Sequence, residues 1–526
     1  MKYKKIKIIW LILILATVLR LFKLGEVLPL YWEEAAIGYD AYSIMKTGKD
    51  YHGNIFPIIA FTSFGDYKPS LYFYSVVPFM AIMGPNEWAV RLPSALAGVL
   101  AVYLIYLISR ELRIGDRVSL LAALILAISP WHLQFSRAGF EVNLGTTLFM
   151  VGIWLMLLSR KKPQMLTWAV VTMVLSTYAY HGFRILAPLM SLAVVIGYFK
   201  SFGPKRVLAN ALLAVFLMWP ILTNINNPAV RQRYEETSHF SQSQAVLITN
   251  ALRESYDNVW WSRVIYHRYW WWAGELLGNY FDQFNVNFLF IEGDGNNRHG
   301  TGEFGLLHHW ELITVALGLA VVVRRKDLWP IVAWLVLAPV PAMLTKTTPH
   351  ALRFLPVVGA MALISAMGLS RIWSSLEKRS MWGNLGLVGV VGLIVLEIMA
   401  YLHFYYGHYP VMAAGQWQYG YKEIVEYTES VKNEYEVIYF TRDYGRPSIY
   451  VLFYGQYDPI DVQLADKQVK KDQQELLELG KYKFGESVLG EGKALVVTNP
   501  DRAIDQEIIY SVDYPNGKEA FVVYEL

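Results

Sequence analysis

Long apolar runs broken by short polar segments dominate the chain up to about residue 403. They fall at roughly 7–25, 90–109, 118–133, 144–159, 166–181, 184–199, 207–223, 306–323, 328–344, 352–372 and 384–403. A helix needs ~20 apolar residues to cross the hydrocarbon, so the pattern predicts about eleven transmembrane helices, several extending into their flanks. One further run, SLYFYSVVPFMAIMGP at 70–85, is short, aromatic and interrupted by Pro78, and charge decides its placement. If it lies in the interface and the basic N-terminus is cytoplasmic, the clusters Arg110/Arg113/Arg117, Arg160/Lys161/Lys162, Lys200/Lys205/Arg206, Arg324/Arg325/Lys326 and Arg371/Lys378/Arg379 all fall inside, as the positive-inside rule requires. If it crosses, all five fall outside. The run is therefore predicted to be a juxtamembrane helix. The N-terminal run carries Arg20 and no small-x-small cleavage site, which favours an uncleaved first span over a signal peptide.

This topology turns the segments 26–69, 134–143, 180–184, 224–305 and 345–352, and everything after about 404, toward the outside. The long loop 224–305 carries an aromatic block, Trp260, Trp261, Tyr269, Trp270, Trp271 and Trp272, suited to an interfacial helix. It ends in the Gly/Asn-rich IEGDGNNRHGTGEFG. After His403 the composition becomes polar and Tyr-rich. Helical patterns near 418–433 and 470–479, and the strand-like runs EVIYFT, SIYVLFY, ALVVTN and AFVVYE, predict a small α/β domain. The expected fold is thus a polytopic α-helical membrane protein over 1–403, with juxtamembrane helices in its outer loops, and an extracytoplasmic α/β domain over 404–526.

Composition agrees. The 526 residues are 55% hydrophobic, 15% aromatic and only 17% charged, too apolar for an ordinary soluble multidomain protein. The net charge of +4 is small, and its clustering between apolar runs reports topology rather than nucleic-acid binding. The absence of cysteine excludes disulfides, thiolate nucleophiles and cysteine metal sites. No Walker loop, no G-x-G-x-x-G after a strand and no G-x-S-x-G occurs, which argues against nucleotide-driven transport within this chain.

Candidate chemistry collects in the first polar loop, LPLYWEEAAIGYDAYSIMKTGKDYHGNIFPIIAFTSFGDYKP. Glu33 and Glu34 follow Trp32 and open a helix-forming run. At headgroup level, partial desolvation raises a carboxyl pKa and makes a usable base. In a helix the two acids point about 100° apart, so one can face a cavity while the other binds backbone or a basic partner. Asp66 and Lys68 stand just before Pro69. Arg91, Arg137, Arg184 and Arg353 lie near the outward ends of four apolar runs, with His350 close by. One arginine there is ordinarily a snorkelling anchor, but several opposed by carboxylates suggest a site for an anionic headgroup such as a lipid phosphate. His181, His299, His308 and His309 are candidate metal ligands with Asp66 or Glu33, but no spacing is diagnostic. The segment DGNNRHGTGE lacks the regular spacing of a calcium loop and reads as a Gly-rich turn.

These segments resemble the GT-C superfamily of membrane glycosyltransferases, specifically the family 39 group, which includes protein O-mannosyltransferases and the bacterial lipid A aminoarabinose transferase. The resemblance is carried by YWEEAAIGYDAYSI, FGDYKPSLYFY, NEWAVRLPSALAGVLAVYLIYLISREL, SPWHLQFSRAGFEVN and PHALRFLPVVGAMALISAMGL, and covers about residues 7–403. It implies a polyprenyl-phosphate-linked sugar donor, a lipid, protein or glycan acceptor, and inverting transfer with a first-loop carboxylate as base. Family members usually carry Asp-Glu where this chain has Glu33-Glu34, so Glu33 occupies the Asp position. By the same resemblance Lys68, Arg91, Arg137 and Arg353 stabilise the leaving phosphate, and Asp66 and Glu34 orient the acceptor or help hold a divalent metal ion, the one candidate cofactor. A transporter or flippase for lipid-linked sugars is the alternative from another class. It predicts acids inside spans and inverted repeats, and neither is found. A non-catalytic binding protein is the third reading, favoured only by the Asp-to-Glu change at position 33.

Overall fold

Every one of the eleven apolar runs is helical in the computed structural model, which describes residues 2–227, 244–377, 380–467, 471–485 and 492–526. Lys378 and Arg379 of the last basic cluster lie outside the described residues. Among the described residues six helices are long and apolar enough to cross a membrane: Glu87–Glu111, Glu141–Ser159, Pro204–Thr223, Lys326–Met343, Ala351–Glu377 and Met381–Met412. The pair Asp116–Ile128 and Pro130–Ser136, bent by 57°, makes a seventh if it is one span. The expected count of eleven is not reached by this measure: Met165–Ala179, Phe183–Gly197 and Glu311–Val322 are shorter, and Lys2–Leu21, 20 residues long with a basic start, is not among the six. The run at 70–85 forms the short helix Leu71–Met83 around Pro78.

The chain folds as two compact units. The first comprises Met1–Ala16, Val99–Leu133 and Gly145–Leu396. Its centre is helix Val358–Glu377, buried from Val358 through Leu369. This helix meets Glu311–Val322 backbone to backbone. A Cβ on Gly318 would stand 1.9 Å from the Ile364 carbonyl oxygen, and one on Gly368 would stand 1.8 Å from that of Thr314. Small residues permit this approach between apolar helices, and the Thr314–Ser365 hydroxyl bond of 2.7 Å adds to it. Helix Pro204–Thr223 instead exposes Leu208, Leu212, Phe216 and Trp219, the surface a lipid-facing helix presents.

The second unit comprises Thr17–Gly98, Gln134–Leu144 and Glu397–Leu526. It crosses the domain boundary expected at 403/404, since the first polar loop and the C-terminal segment share one core. Helix Trp32–Thr47 packs Ala35, Ile37, Tyr39 and Ala41 into a cluster with Ile438, Phe440, Val451 and Phe453. Gly38 allows the contact, because a Cβ there would meet Phe453 at 2.5 Å and Val90 at 2.9 Å. Strands β1 (Ala60–Ser63) and β2 (Asp66–Pro69) form a hairpin in the loop. The others are β3 (Val437–Phe440), β4 (Lys471–Asp472), β5 (Glu475–Leu476), β6 (Glu478–Leu479), β7 (Tyr482–Phe484), β8 (Ala494–Thr498), β9 (Tyr510–Asp513) and β10 (Glu519–Glu525). The six-stranded sheet has the order β6-β7-β3-β8-β10-β9, with β3 parallel to both its neighbours.

Two C-terminal expectations fail. The strand-like SIYVLFY is helix Pro447–Tyr454, buried from Pro447 through Phe453. A helix buried all round shows the same continuous apolar run as a buried strand, and Pro447 in its first turn suits a helix start. The helix expected at 470–479 is instead strand from Lys471 onward, residue 470 lying outside the described residues. Gln473 and Gln474 take positive φ of 46° and 67°, and Arg442 binds Asp472 and Glu475 across the hairpin, so tertiary ion pairs override local helix propensity.

Candidate active site

Helix Trp32–Thr47 begins where the Trp32 N–H donates to Gln418 Oε1 at 2.8 Å. Its first turn holds Glu33 and Glu34, where the positive end of the helix dipole favours carboxylates. The angular separation of consecutive residues sends the two acids to different partners. Glu34 is fully buried. Its Oε1 accepts from Arg91 Nε at 2.8 Å and from the Gly139 N–H at 2.7 Å, and its Oε2 accepts from Arg91 Nη2 at 2.7 Å. Arg91 gives its remaining protons to the carbonyls of Leu24, Leu28 and Pro29. All five guanidinium N–H groups are therefore used, and none is left for a phosphate. A Cβ on Gly139 would come within 3.3 Å of the Glu34 carboxylate, so the backbone approaches at a residue without a side chain.

Glu33 keeps a different environment. Its Oε2 lies 2.8 Å from Lys68 Nζ, which stands 3.8 Å from Glu141 Oε1. The Glu33 side chain is 35% exposed, against 8% for Lys68 and 10% for Glu141. Lys68 is delivered by β2, opposite Phe61 of β1. The two-residue turn between these strands, Phe64 and Gly65, has φ of 51° and 81°, the left-handed pair that matches strand twist in a tight hairpin. Asp66 stands beside that turn, where its Oδ1 accepts the Tyr67 N–H at 2.8 Å. The cluster is thus an accessible carboxylate, a buried ammonium and a second buried carboxylate.

Arg137 ends helix Lys2–Leu21. Its Nη1 donates to the carbonyls of Leu19 and Arg20, its Nη2 to those of Phe22 and Lys23, and its guanidinium lies over the rings of Tyr405 and Tyr406. These are the carbonyls a helix C-terminus leaves without intrahelical partners, so this cation is engaged as a cap. Further along helix Trp32–Thr47, Asp40 is buried with Oδ1 accepting the Tyr51 N–H at 3.2 Å and Oδ2 without a hydrogen-bond partner among the described residues. Burial first, then the charge of Asp50, pushes its carboxyl well above the usual range. Burial also raises Asp50, against hydrogen bonds from Asn54.

In the first unit, Arg184 has Nε and Nη2 buried without a hydrogen-bond partner among the described residues. Its helix, Phe183–Gly197, contributes Ala187, Pro188, Ser191 and Leu192 to an apolar cavity of about 290 Å³ also lined by Met173, Thr177 and Met218. Arg353 Nη1 donates to Thr345 Oγ1 at 2.7 Å and the Thr347 carbonyl at 3.3 Å. His350 stands with Asp294 and His299. Of the histidines considered as metal ligands, His308 instead places Nε2 3.1 Å from the Ile128 carbonyl.

Two members of these clusters escaped the sequence reading. Glu141 had a signal, an acid at the predicted mouth of an apolar run, but only the fold sets it against Lys68. Asp294 opens the Gly/Asn-rich turn, where no regular ligand spacing marked it.

Residues 67–225 match the family profile described as dolichyl-phosphate-mannose-protein mannosyltransferase. The structure is similar to ArnT from Cupriavidus metallidurans bound to undecaprenyl phosphate, with a TM-score of 0.54 and 12% identity over 98% of this chain and 97% of that one. The apo form of the same protein gives a TM-score of 0.54 at 11% identity, covering 99% and 97%. No curated protein sequence matches. The likeness shows that this chain shares the fold of that ArnT structure. The profile match covers less than half of the chain.

Proposed function

We propose that the chain is an inverting glycosyltransferase that moves a sugar from a polyprenyl-phosphate carrier to an acceptor at the outer membrane face, with Glu33 as the base. The observation that carries this reading is the difference in exposure between adjacent acids: Glu34 is fully buried and bound by Arg91 and Gly139, whereas Glu33, ion-paired with the buried Lys68, is 35% exposed. In the proposed step an acceptor hydroxyl or amine gives its proton to Glu33 as its lone pair forms the new bond to the anomeric carbon. The bond from that carbon to the phosphate oxygen breaks, and its electron pair leaves with the lipid phosphate. Lys68 holds Glu33 in place and supplies positive charge toward the leaving group. Arg91 and Arg137 act as framework cations in this reading, and Asp66 shapes the hairpin that carries Lys68.

The lipid carrier has support in the first unit. An apolar cavity suits an isoprenoid chain, and the buried Arg184 guanidinium on one of its helices suits an anion. Arg353, with one nitrogen committed to Thr345 and Thr347, is the other candidate for phosphate. The similar ArnT structure was obtained with undecaprenyl phosphate bound. The proposed placement keeps the N-terminus cytoplasmic and the C-terminal segment extracytoplasmic, as the positive-inside rule argues.

The test is sugar release by purified protein in detergent from radiolabelled polyprenyl-phosphate hexoses. Turnover by wild type and its loss in Glu33→Gln is the expected result. Turnover retained in Glu33→Gln overturns the base assignment. Binding of labelled lipid without turnover of any donor points to a non-catalytic lipid-binding protein.

A further inference from the structure

We propose that Asp294, His299 and His350 form a binding site for a divalent cation of the zinc class, which ties the Gly/Asn-rich turn to the segment entering helix Ala351–Phe354. One donor atom from each residue lies within 4.8 Å of the other two. Asp294 Oδ2 is 3.6 Å from His299 Nδ1 and 3.9 Å from His350 Nδ1. Both separations are beyond hydrogen-bonding distance. Both are close to the spacing of about 3.3–3.5 Å between tetrahedral ligands at zinc bond lengths, and the third edge is within 4.8 Å, so drawing the two imidazoles together closes the site. The imidazole rings stand 5.0 Å apart, inclined at 35°.

The surroundings orient the carboxylate as a metal ligand needs. Asp294 Oδ1 accepts the Asn296 N–H at 2.9 Å, and Oδ2 accepts the Ala351 N–H at 2.7 Å while keeping a lone pair. The three side chains are only 10%, 12% and 16% exposed, which shelters the site yet leaves an opening for the ion and a fourth ligand. Two imidazoles and one carboxylate suit zinc and its neighbours, whereas magnesium and calcium prefer oxygen sets. The third donor, His350, stands three positions before Arg353, so an ion here fixes that arginine's segment to the turn. The site lies wholly within the first unit and does not depend on the transferase reading.

The experiment uses the full chain, purified in detergent through a tag without histidine. Metal content is measured by mass spectrometry, and the thermal midpoint is followed with chelator and with zinc or magnesium added. The expected result is about one zinc per chain, a lower midpoint on chelation, and recovery with zinc but not with magnesium. His299→Ala and His350→Ala should each weaken zinc binding by about tenfold or more. Cobalt loaded into wild type provides a readout that needs no variant, the intense visible bands of a four-coordinate site. Absence of bound zinc together with a midpoint unmoved by zinc overturns the proposal. So does zinc binding unchanged in both histidine variants.

Discussion

The Glu33 carboxylate and the Lys68 ammonium stand 2.8 Å apart, the lysine buried and the glutamate one-third open. A helix start and a tight hairpin bring them together, and each has its own reason to be rigid. The first prediction follows from this asymmetry. Glu33→Gln keeps the shape and removes the proton acceptor, so the transfer rate should fall by about 10²–10⁴-fold with little change in thermal midpoint. Rate and midpoint measured on one preparation check it, and a large loss of stability would show the residue to be structural.

Glu34→Gln should do the reverse in kind. It leaves Arg91 buried beside a neutral amide, and breaking a buried pair from one side costs about 3–5 kcal/mol. The expected outcome is a protein with a strongly lowered midpoint or poor recovery from the membrane, read by fluorescence-detected size exclusion. A variant as stable as wild type would contradict the framework role of the pair.

Asp40 predicts a pH dependence. Its folded carboxyl titrates above the unfolded value because burial, then the Asp50 charge, disfavours the anion. The native state therefore holds a proton that the unfolded chain releases, near pH ~3.9. That contribution to stability is fully present below the unfolded value and is lost as pH rises through the folded one. Asp40→Asn cannot ionise, so its midpoint should improve relative to wild type on moving from acid to neutral pH. Melting both proteins at pH 5 and pH 8 tests this, and a pH-independent difference would refute it.

Gly368→Ala should separate the central helices of the first unit. The added methyl meets the Thr314 carbonyl at 1.8 Å, backbone that has no rotamer to yield. Overpacking of this kind typically costs about 1–3 kcal/mol. Gly389→Ala is the control, with nothing within 4 Å, and should leave the midpoint unchanged.

What the sequence determined by itself was the helical framework and the neighbourhood of the candidate site. Apolar length specifies a membrane helix almost without reference to the rest of the chain, because hydrocarbon leaves the backbone no partner but itself. The resemblance agreed in placing interest at Glu33, Glu34 and Lys68, and helical rotation alone foretold that the acids would diverge. Which acid is fully buried and which stays partly exposed was decided only by tertiary structure. That outcome depends on Arg91 and Gly139 arriving from distant segments to satisfy one carboxylate. Arg137 and Arg91 looked equivalent to Arg184 as cations at the ends of apolar runs, and they differ only in how many carbonyls and carboxylates reach them. The C-terminal segment was the least legible part. Its Ser448–Phe453 run is buried on all sides and so shows no period, and its Gln473–Gln474 turn follows from contacts with Arg442. The grouping of Asp294 with His299 and His350 was equally invisible, since metal-binding geometry belongs to positions in space and the chain reaches these three from two separate loops.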